Sequence, residues 1–301
     1  MSDNEPGAPV GAGSADDDGT GASIETASEA GVSSNRIERI FAQKRADEHR
    51  ALMPFLCGGY PTLASTPALI SACSDAGGSI IEIGVPFSDP IADGPVIAAA
   101  MHEALTAGVT MEALFDRVAE ARSTTEAGLV AMVSVSLVQG SGGPVAFAKL
   151  AAEAGFDGLI VPDAPVEESD RIRDAAATHG LTLSLLVAPT TPPKRVEAIA
   201  QACTGFVYLL ARSGVTGERS DAPDVSAAVS VLRSATELPI ACGFGISTAS
   251  QVRSVVEHAD AAIVGSALVR RLGEPDAGDP ADVGGAFVSE LAAGLNAEPS
   301  L

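Results

Sequence analysis

LTLSLLVAPTTPPKRVEAIAQACTGFVYLLA, residues 181–211, contains a whole strand–helix–strand unit. LTLSLLVAP (181–189) and GFVYLLA (205–211) are apolar almost without interruption and have strand length. A half-solvated strand would alternate, so these runs read as strands buried on both faces, as in a parallel sheet. Between them, Thr191-Pro192-Pro193 gives a helix start, and Pro192–Ala202 carries a helical pattern.

The same unit recurs on both sides. ALMPFLC (51–57), SIIEIGV (79–85), LVAMVSVSL (129–137), DGLIVP (157–162), LPIACGF (238–244) and DAAIVGSA (260–267) bring the apolar runs to eight. Helix-patterned segments separate them: Pro67–Ala76, Val96–Ala107, Val145–Ala154, Glu167–His179, Val225–Ala235 and Thr248–His258. Eight βα units in about 240 residues predict an α/β fold, a (β/α)8 TIM barrel, with amphipathic Arg36–Ala46 as an extra N-terminal helix closing the barrel floor. A doubly wound sheet fits less well, because Gly58-Gly59-Tyr60-Pro61 after the first strand lacks the G-x-G-x-x-G turn. Residues 1–33, acidic and without periodicity, are expected to be a disordered tail. The barrel is expected to span 34–272, with an acidic loop, a final helix and a frayed end over 273–301.

Composition narrows the partners. The 301 residues carry 39 Asp+Glu against 18 Lys+Arg, a net charge of −21, with no Trp and 2 Tyr. Such a surface repels phosphate backbones and anionic lipid, so neither nucleic acid nor a membrane is expected as a partner. Acid excess with few lysines suggests a halophilic protein; an ordinary acidic protein is the plainer alternative. Cys57, Cys73, Cys203 and Cys242 are widely spaced without a CxxC pair, which predicts reduced, partly buried thiols. The N-terminus lacks the charged and apolar regions of a signal peptide, and no apolar run is long enough to span a bilayer. A cytoplasmic protein is expected.

In a barrel of this kind, chemistry gathers where strands end. Glu82 lies between Ile81 and Ile83 on the second strand, a costly place for a carboxylate unless it is paired in a core salt bridge or catalytic. GVPFSDPIADGP (84–95) follows and contains Asp93, which reads either as a turn or cap residue or as a second functional acid. The last strand ends, RSGVTGERSD (212–221), GFGIS (243–247) and Gly265-Ser266, combine glycines with helix starts, as phosphate cradles and simple glycine turns both do. Lys44, Lys149 and Lys194 fall on helices or at their starts, so no strand lysine is available for a Schiff base. His49, His102, His179 and His258 all fall in helical segments, away from strand tops, so no metal site is expected. Carboxylate acid–base chemistry on a phosphate-bearing substrate remains, without a cofactor in this chain.

The run IEIGVPFSDPIADGP (81–95) closely resembles the signature of the tryptophan synthase α chain family. GFDGLIVPDAPVEES (155–169), LVAPTTP (186–192), YLLARSGVTGER (208–219) and GFGIS (243–247) resemble its later segments in order, over roughly residues 35 to 270. The resemblance implies retro-aldol cleavage of indole-3-glycerol phosphate to indole and glyceraldehyde 3-phosphate. It implies proton transfer by Glu82 and stabilisation of the indole N–H by Asp93, with Glu82 raised in pKa by burial and Asp93 ionised. Tyr208 would line the indole pocket, and Phe55 and Phe244 would sandwich the ring, although Tyr208 and Phe55 also read as core aromatics. Gly217, Phe244, Gly245, Gly265 and Ser266 would hold the phosphate. The loop Arg212–Asp221 would close over the site, with Thr216 meeting Asp93. The resemblance further implies an α2β2 assembly with a β chain that carries pyridoxal phosphate, docked at the catalytic end beside an exposed Phe87. One segment departs from the pattern: a Tyr-x-Asn-Pro stretch usual after the third strand is here Ser134-Val135-Ser136-Leu137-Val138.

Overall fold

A computed structural model describes residues 35–90, 93–211, 224–243 and 245–295. The expected tail and the whole 212–221 loop lie outside the described residues. Nine parallel strands form the sheet: β1 (Ala51–Cys57), β2 (Ile80–Gly84), β3 (Gly128–Met132), β4 (Gly158–Ile160), β5 (Thr182–Ser184), β6 (Leu186–Val187), β7 (Val207–Leu210), β8 (Ile240–Gly243) and β9 (Ala261–Val264). Their order is β5-β4-β3-β2-β1-β9-β8-β7-β6. β5 and β6 are two pieces of the single run 181–189, divided at Leu185. Leu185 donates its N–H to the Cys203 Sγ at 3.2 Å and accepts from the Tyr208 N–H at 3.2 Å. One continuous run therefore pairs with β4 on one side and β7 on the other. That pairing joins the two ends of the sheet and makes a barrel.

Alternate residues face opposite sides. Met53, Ile80, Val130, Ile160, Phe206, Tyr208, Ala241 and Ile263 form an inner core. Leu52, Ile81, Ile83, Leu129, Leu159, Val207, Leu209, Cys242 and Ala262 pack outward against the helices. Both faces of each strand are therefore apolar, which is why the runs show no alternation.

Helix α1 (Arg36–Ala46) covers the floor, as the sequence suggests. Asn35 and Glu38 form a capping box, and the Asn35 Nδ2 donates to the carbonyls of Asp157 and Gly180, each at 2.7 Å. Ile37 and Phe41 then plug the inner core, with the Phe41 and Phe206 ring centroids 5.9 Å apart.

The outer layer comprises α2 (Thr66–Asp75), α3 (Pro95–Thr106), α4 (Met111–Arg122), α5 (Val135–Gly140), α6 (Pro144–Glu153), α7 (Ser169–Thr178), α8 (Pro193–Ala202), α9 (Ser226–Ala235), α10 (Ala249–Val256) and α11 (Ser266–Leu272). A terminal helix, α12 (Pro280–Ala292), packs on α2 and α11.

Three details differ from the sequence reading. The run 129–137 is not one strand: β3 stops at Met132, and Ser134 caps α5, its Oγ accepting from the Ser136 N–H at 3.2 Å. Helix α4 is unanticipated; charged residues dilute its apolar face of Leu114, Phe115, Val118 and Ala121. His49 lies in the connection between α1 and β1 rather than in a helix. All four cysteines are free and buried, as expected.

Candidate active site

β2 places Glu82 in the barrel. Ile81 and Ile83 turn outward, so Glu82 turns inward, in register with Phe55 on β1 and Val130 on β3. The side chain is buried, and its Oε2 has no hydrogen-bond partner among the described residues. Burial pushes its carboxyl up to about 8, and the charge of Asp93 adds to the shift. A core salt bridge would have lowered it; the charge acting on Glu82 is negative.

Asp93 sits between the β2 turn and α3. Its backbone N–H donates to the Pro90 carbonyl at 3.2 Å, closing a turn. The cap of α3 is Gly94, which has no side chain, so Asp93 is not held as a helix cap. Burial raises Asp93 to about 6. The sequence reading left this acid unshifted; the turn folds it into the barrel mouth instead of leaving it in water. At neutral pH it is still mostly ionised, while Glu82 is mostly protonated, so neighbouring environments divide two like groups into a base and an acid.

A cleft of about 40 Å3 opens at the C-terminal ends of the strands. Of the ten residues singled out in the sequence, seven line it: Phe55, Glu82, Asp93, Tyr208, Gly245, Gly265 and Ser266. Thr216, Gly217 and Phe244 lie outside the described residues. Two strand-end glycines make the space. A Cβ on Gly84 would lie 2.6 Å from the Phe55 Cζ, and one on Gly243 would lie 2.7 Å from the Tyr208 hydroxyl. Both aromatic rings therefore lean across neighbouring backbone. Burial, followed by the charge of Glu82, holds the Tyr208 hydroxyl well above the usual phenol range.

Beside Phe55, whose Cβ would lie 3.4 Å from a Cβ on Gly265, Gly265 caps α11, and Ser266 begins it. Gly245, at φ +78°, takes a left-handed turn that a side chain would strain. Cys57 ends β1 near the acids, but burial and the charges of Asp93 and Glu103 push its thiol up to about 12, which leaves it a poor nucleophile. Among the described residues no cluster of His, Cys, Asp and Glu has the arrangement of a metal site.

Ile97, Met132, Pro162, Leu186, Ile246 and Ile263 complete the cleft and were not singled out from the sequence. Position on a strand or just after one was the available signal for all but Ile97, which lies in the first turn of α3. Phe87, expected to be exposed, is half-buried and lines a second chamber beside Asp93.

The fold and the cleft define a (β/α)8 barrel with two carboxylates at its mouth. The family model for "Tryptophan synthase alpha chain" matches residues 41–290. A tryptophan synthase alpha chain from Synechococcus sp. (strain CC9902) is 43% identical over 260 residues, covering 86% of this chain and 96% of the relative. One from Chloroflexus aggregans is 44% identical over 240 residues, covering 79% and 90%. Among solved structures, Mycobacterium tuberculosis tryptophan synthase superposes with a TM-score of 0.80 at 35% identity, covering 88% of this chain and 99% of that one. Tryptophan synthase subunit alpha from Legionella pneumophila str. Paris gives a TM-score of 0.79 at 32% identity, covering 87% and 98%.

The chain belongs to the tryptophan synthase alpha chain family, carbon–carbon lyases that cleave indole-3-glycerol phosphate to indole and glyceraldehyde 3-phosphate. The lysines agree with a route that forms no Schiff base. Lys44, Lys149 and Lys194 lie on α1, α6 and α8, none of them on a strand.

Proposed function

We propose that Glu82 and Asp93 carry the retro-aldol cleavage as an acid–base pair. The observation that carries this reading is the buried Glu82, raised to about 8 with a free carboxyl oxygen, facing one cleft with an ionised Asp93. Protonated Glu82 delivers its proton to indole C3, and positive charge develops on the ring nitrogen. The Asp93 carboxylate accepts the ring N–H and stabilises that charge. Glu82, now a carboxylate, takes the proton of the side-chain hydroxyl. The C–C bond breaks, its electron pair returns to the ring, and the aldehyde leaves. Glu82 ends protonated, ready for another turnover.

Phe55 and Phe244 hold the ring, with Tyr208 beside it. Backbone donors at Gly217, Phe244, Gly245, Gly265 and Ser266 hold the phosphate without a lysine. The Arg212–Asp221 loop closes over the cleft, bringing Thr216 to Asp93.

Indole passes to a β chain, which carries pyridoxal phosphate and joins the indole to serine, in an α2β2 assembly docked at the catalytic end. The acidic surface suits a halophilic cytoplasm. No helix among the described residues is long and apolar enough to cross a membrane.

Incubation with indole-3-glycerol phosphate in high salt, with indole followed over time, tests the chemistry. Glu82→Gln should lower kcat by a factor on the order of 10² to 10⁴. Asp93→Asn should be severe but leave more residual activity, because Asp93 acts through charge. A Glu82→Gln enzyme with a tenth of the parent activity refutes the assignment. Titration of the β chain should raise the rate, and a flat titration refutes the coupling.

A further inference from the structure

The substrate cleft is not the only cavity at the barrel mouth. A second chamber, of about 40 Å3, shares three wall residues with it: Asp93, Met132 and Pro162. Beyond them it is lined by Val85, Phe87, Pro90, Met101 and Val133 on its apolar side and by Asp89, Ser134 and Asp163 on its polar side. Seven of these eight residues are on β-strand ends or the loops following them, and five are apolar. Met132, at the junction, is an unbranched side chain able to yield to a neighbour.

Ser134 keeps this space open. Its hydroxyl donates to the Asp163 Oδ2 at 2.7 Å, and the other oxygen, Oδ1, accepts from the Val135 N–H at 2.8 Å. The short side chain is thus tied to the next strand end and leaves room where a longer one would project. Asp89, at the exposed rim, accepts from the Ser88 hydroxyl at 2.8 Å; apart from it, Asp93 and the Ser134–Asp163 edge, the lining is apolar.

We propose that the chamber is a specificity subsite that admits an apolar substituent on the benzo ring of indole-3-glycerol phosphate, with Ser134 as the residue that admits it. This rests on the roles given to Glu82 and Asp93 above. With C3 at Glu82 and the ring nitrogen at Asp93, the ring edge next to the nitrogen, C6 and C7, faces the shared wall. C4, next to C3, faces buried Glu82 and has no such space. The subsite therefore accepts methyl or halogen at C6 or C7 and rejects it at C4.

The test compares kcat/KM for 6-methyl, 7-methyl, 4-methyl and unsubstituted substrates in the full-length chain, with β chain present. A methyl group moved from water into an apolar site is worth about fourfold, or ~0.8 kcal/mol. The parent should use the better of the 6- and 7-methyl substrates at least as well as the unsubstituted one, and up to about fourfold better, with 4-methyl reduced about tenfold. Ser134→Phe fills the chamber and should cut that preference at least tenfold while unsubstituted substrate is still turned over. Ser134→Ala loses the same hydrogen bond to Asp163 but leaves the chamber open, so it should keep the parent preference. Rejection of both the 6- and 7-methyl substrates by the parent overturns the proposal. So does an equal loss of preference in Ser134→Ala, which would mean that the hydrogen bond matters and the space does not. Absence of cleavage of the unsubstituted substrate by the parent would instead refute the catalytic reading beneath it.

Discussion

Glu82→Gln should change how stability depends on pH, and the size of the change follows from the buried carboxyl. In the folded protein this group is raised from 4.5 to about 8, by burial first and by Asp93 second. An acid with a raised folded pKa binds its proton more tightly folded than unfolded. Stability is therefore full below the unfolded value and is lost as pH rises toward the folded one, levelling off above it. Each unit of difference is worth about 1.4 kcal/mol. From about pH 5 to about pH 8.5 the parent should lose about 4 kcal/mol through this one group, and glutamine, which does not titrate, should lose none. Relaxation of the buried site and entry of water reduce the effect, so about 2 kcal/mol is the smallest shift consistent with the geometry. Urea unfolding of parent and variant, at several pH values and one fixed salt concentration, measures it. The amide has its own packing cost, but that cost does not vary with pH. Asp93 is raised by burial alone, so its contribution is common to both proteins and cancels. Parallel stability curves over this range would refute the reasoning, because they would mean that Glu82 is hydrated or paired in the folded state.

The rate of indole formation should be bell-shaped in pH, with apparent limbs near the values of about 6 for Asp93 and about 8 for Glu82 that belong to the coupled pair; a kcat/KM that stays flat from about pH 5 to 9 contradicts the acid–base pair. Gly84→Ala puts a Cβ 2.6 Å from the Phe55 ring, so kcat/KM should fall at least about tenfold and stability by about 1–3 kcal/mol, measured by steady-state kinetics and urea midpoint; unchanged kinetics would mean that Phe55 does not touch substrate. The net charge of −21 should make the melting temperature rise from about 0.1 M to molar KCl as self-repulsion is screened, and a flat or falling trend counts against a halophilic surface.

How far the sequence could be read depended on which physical signal each segment carried. The strands of the barrel were legible because burial on both faces leaves no polar interruption, and Glu82 stood out because it breaks that rule on β2. The boundary after β3 was not legible in the same way. Val133, Val135, Leu137 and Val138 are buried or packed on the core whether the chain is extended or helical, so hydrophobicity runs through the change of structure. The Ser134 hydroxyl was the local signal, and its meaning depends on Asp163, which is 29 residues away in sequence. Met132, Pro162 and Leu186 escaped for a related reason. They are apolar residues at strand ends, and only the closed barrel shows that they face the cleft rather than a helix.

The two faces of β2 separate the demands that a catalytic barrel must meet. Outward, Ile81 and Ile83 join the core between strands and helices, and together they stabilise the sheet by several kcal/mol through burial. Inward, Glu82 sits at the middle of the same strand and opposes folding whenever it is charged. A strand held on one face can carry a strained group on the other, because β1 and β3 fix its register from both sides. The cost is also what makes the group useful: the burial that raises its pKa keeps a proton on it at neutral pH. Asp93 cannot be placed by the sheet, since it belongs to the connection before α3, and it is correspondingly less raised. In the proposed mechanism, rigid placement therefore falls to the acid that must be aligned with a carbon atom, and the acid that needs only to present charge is carried on a turn.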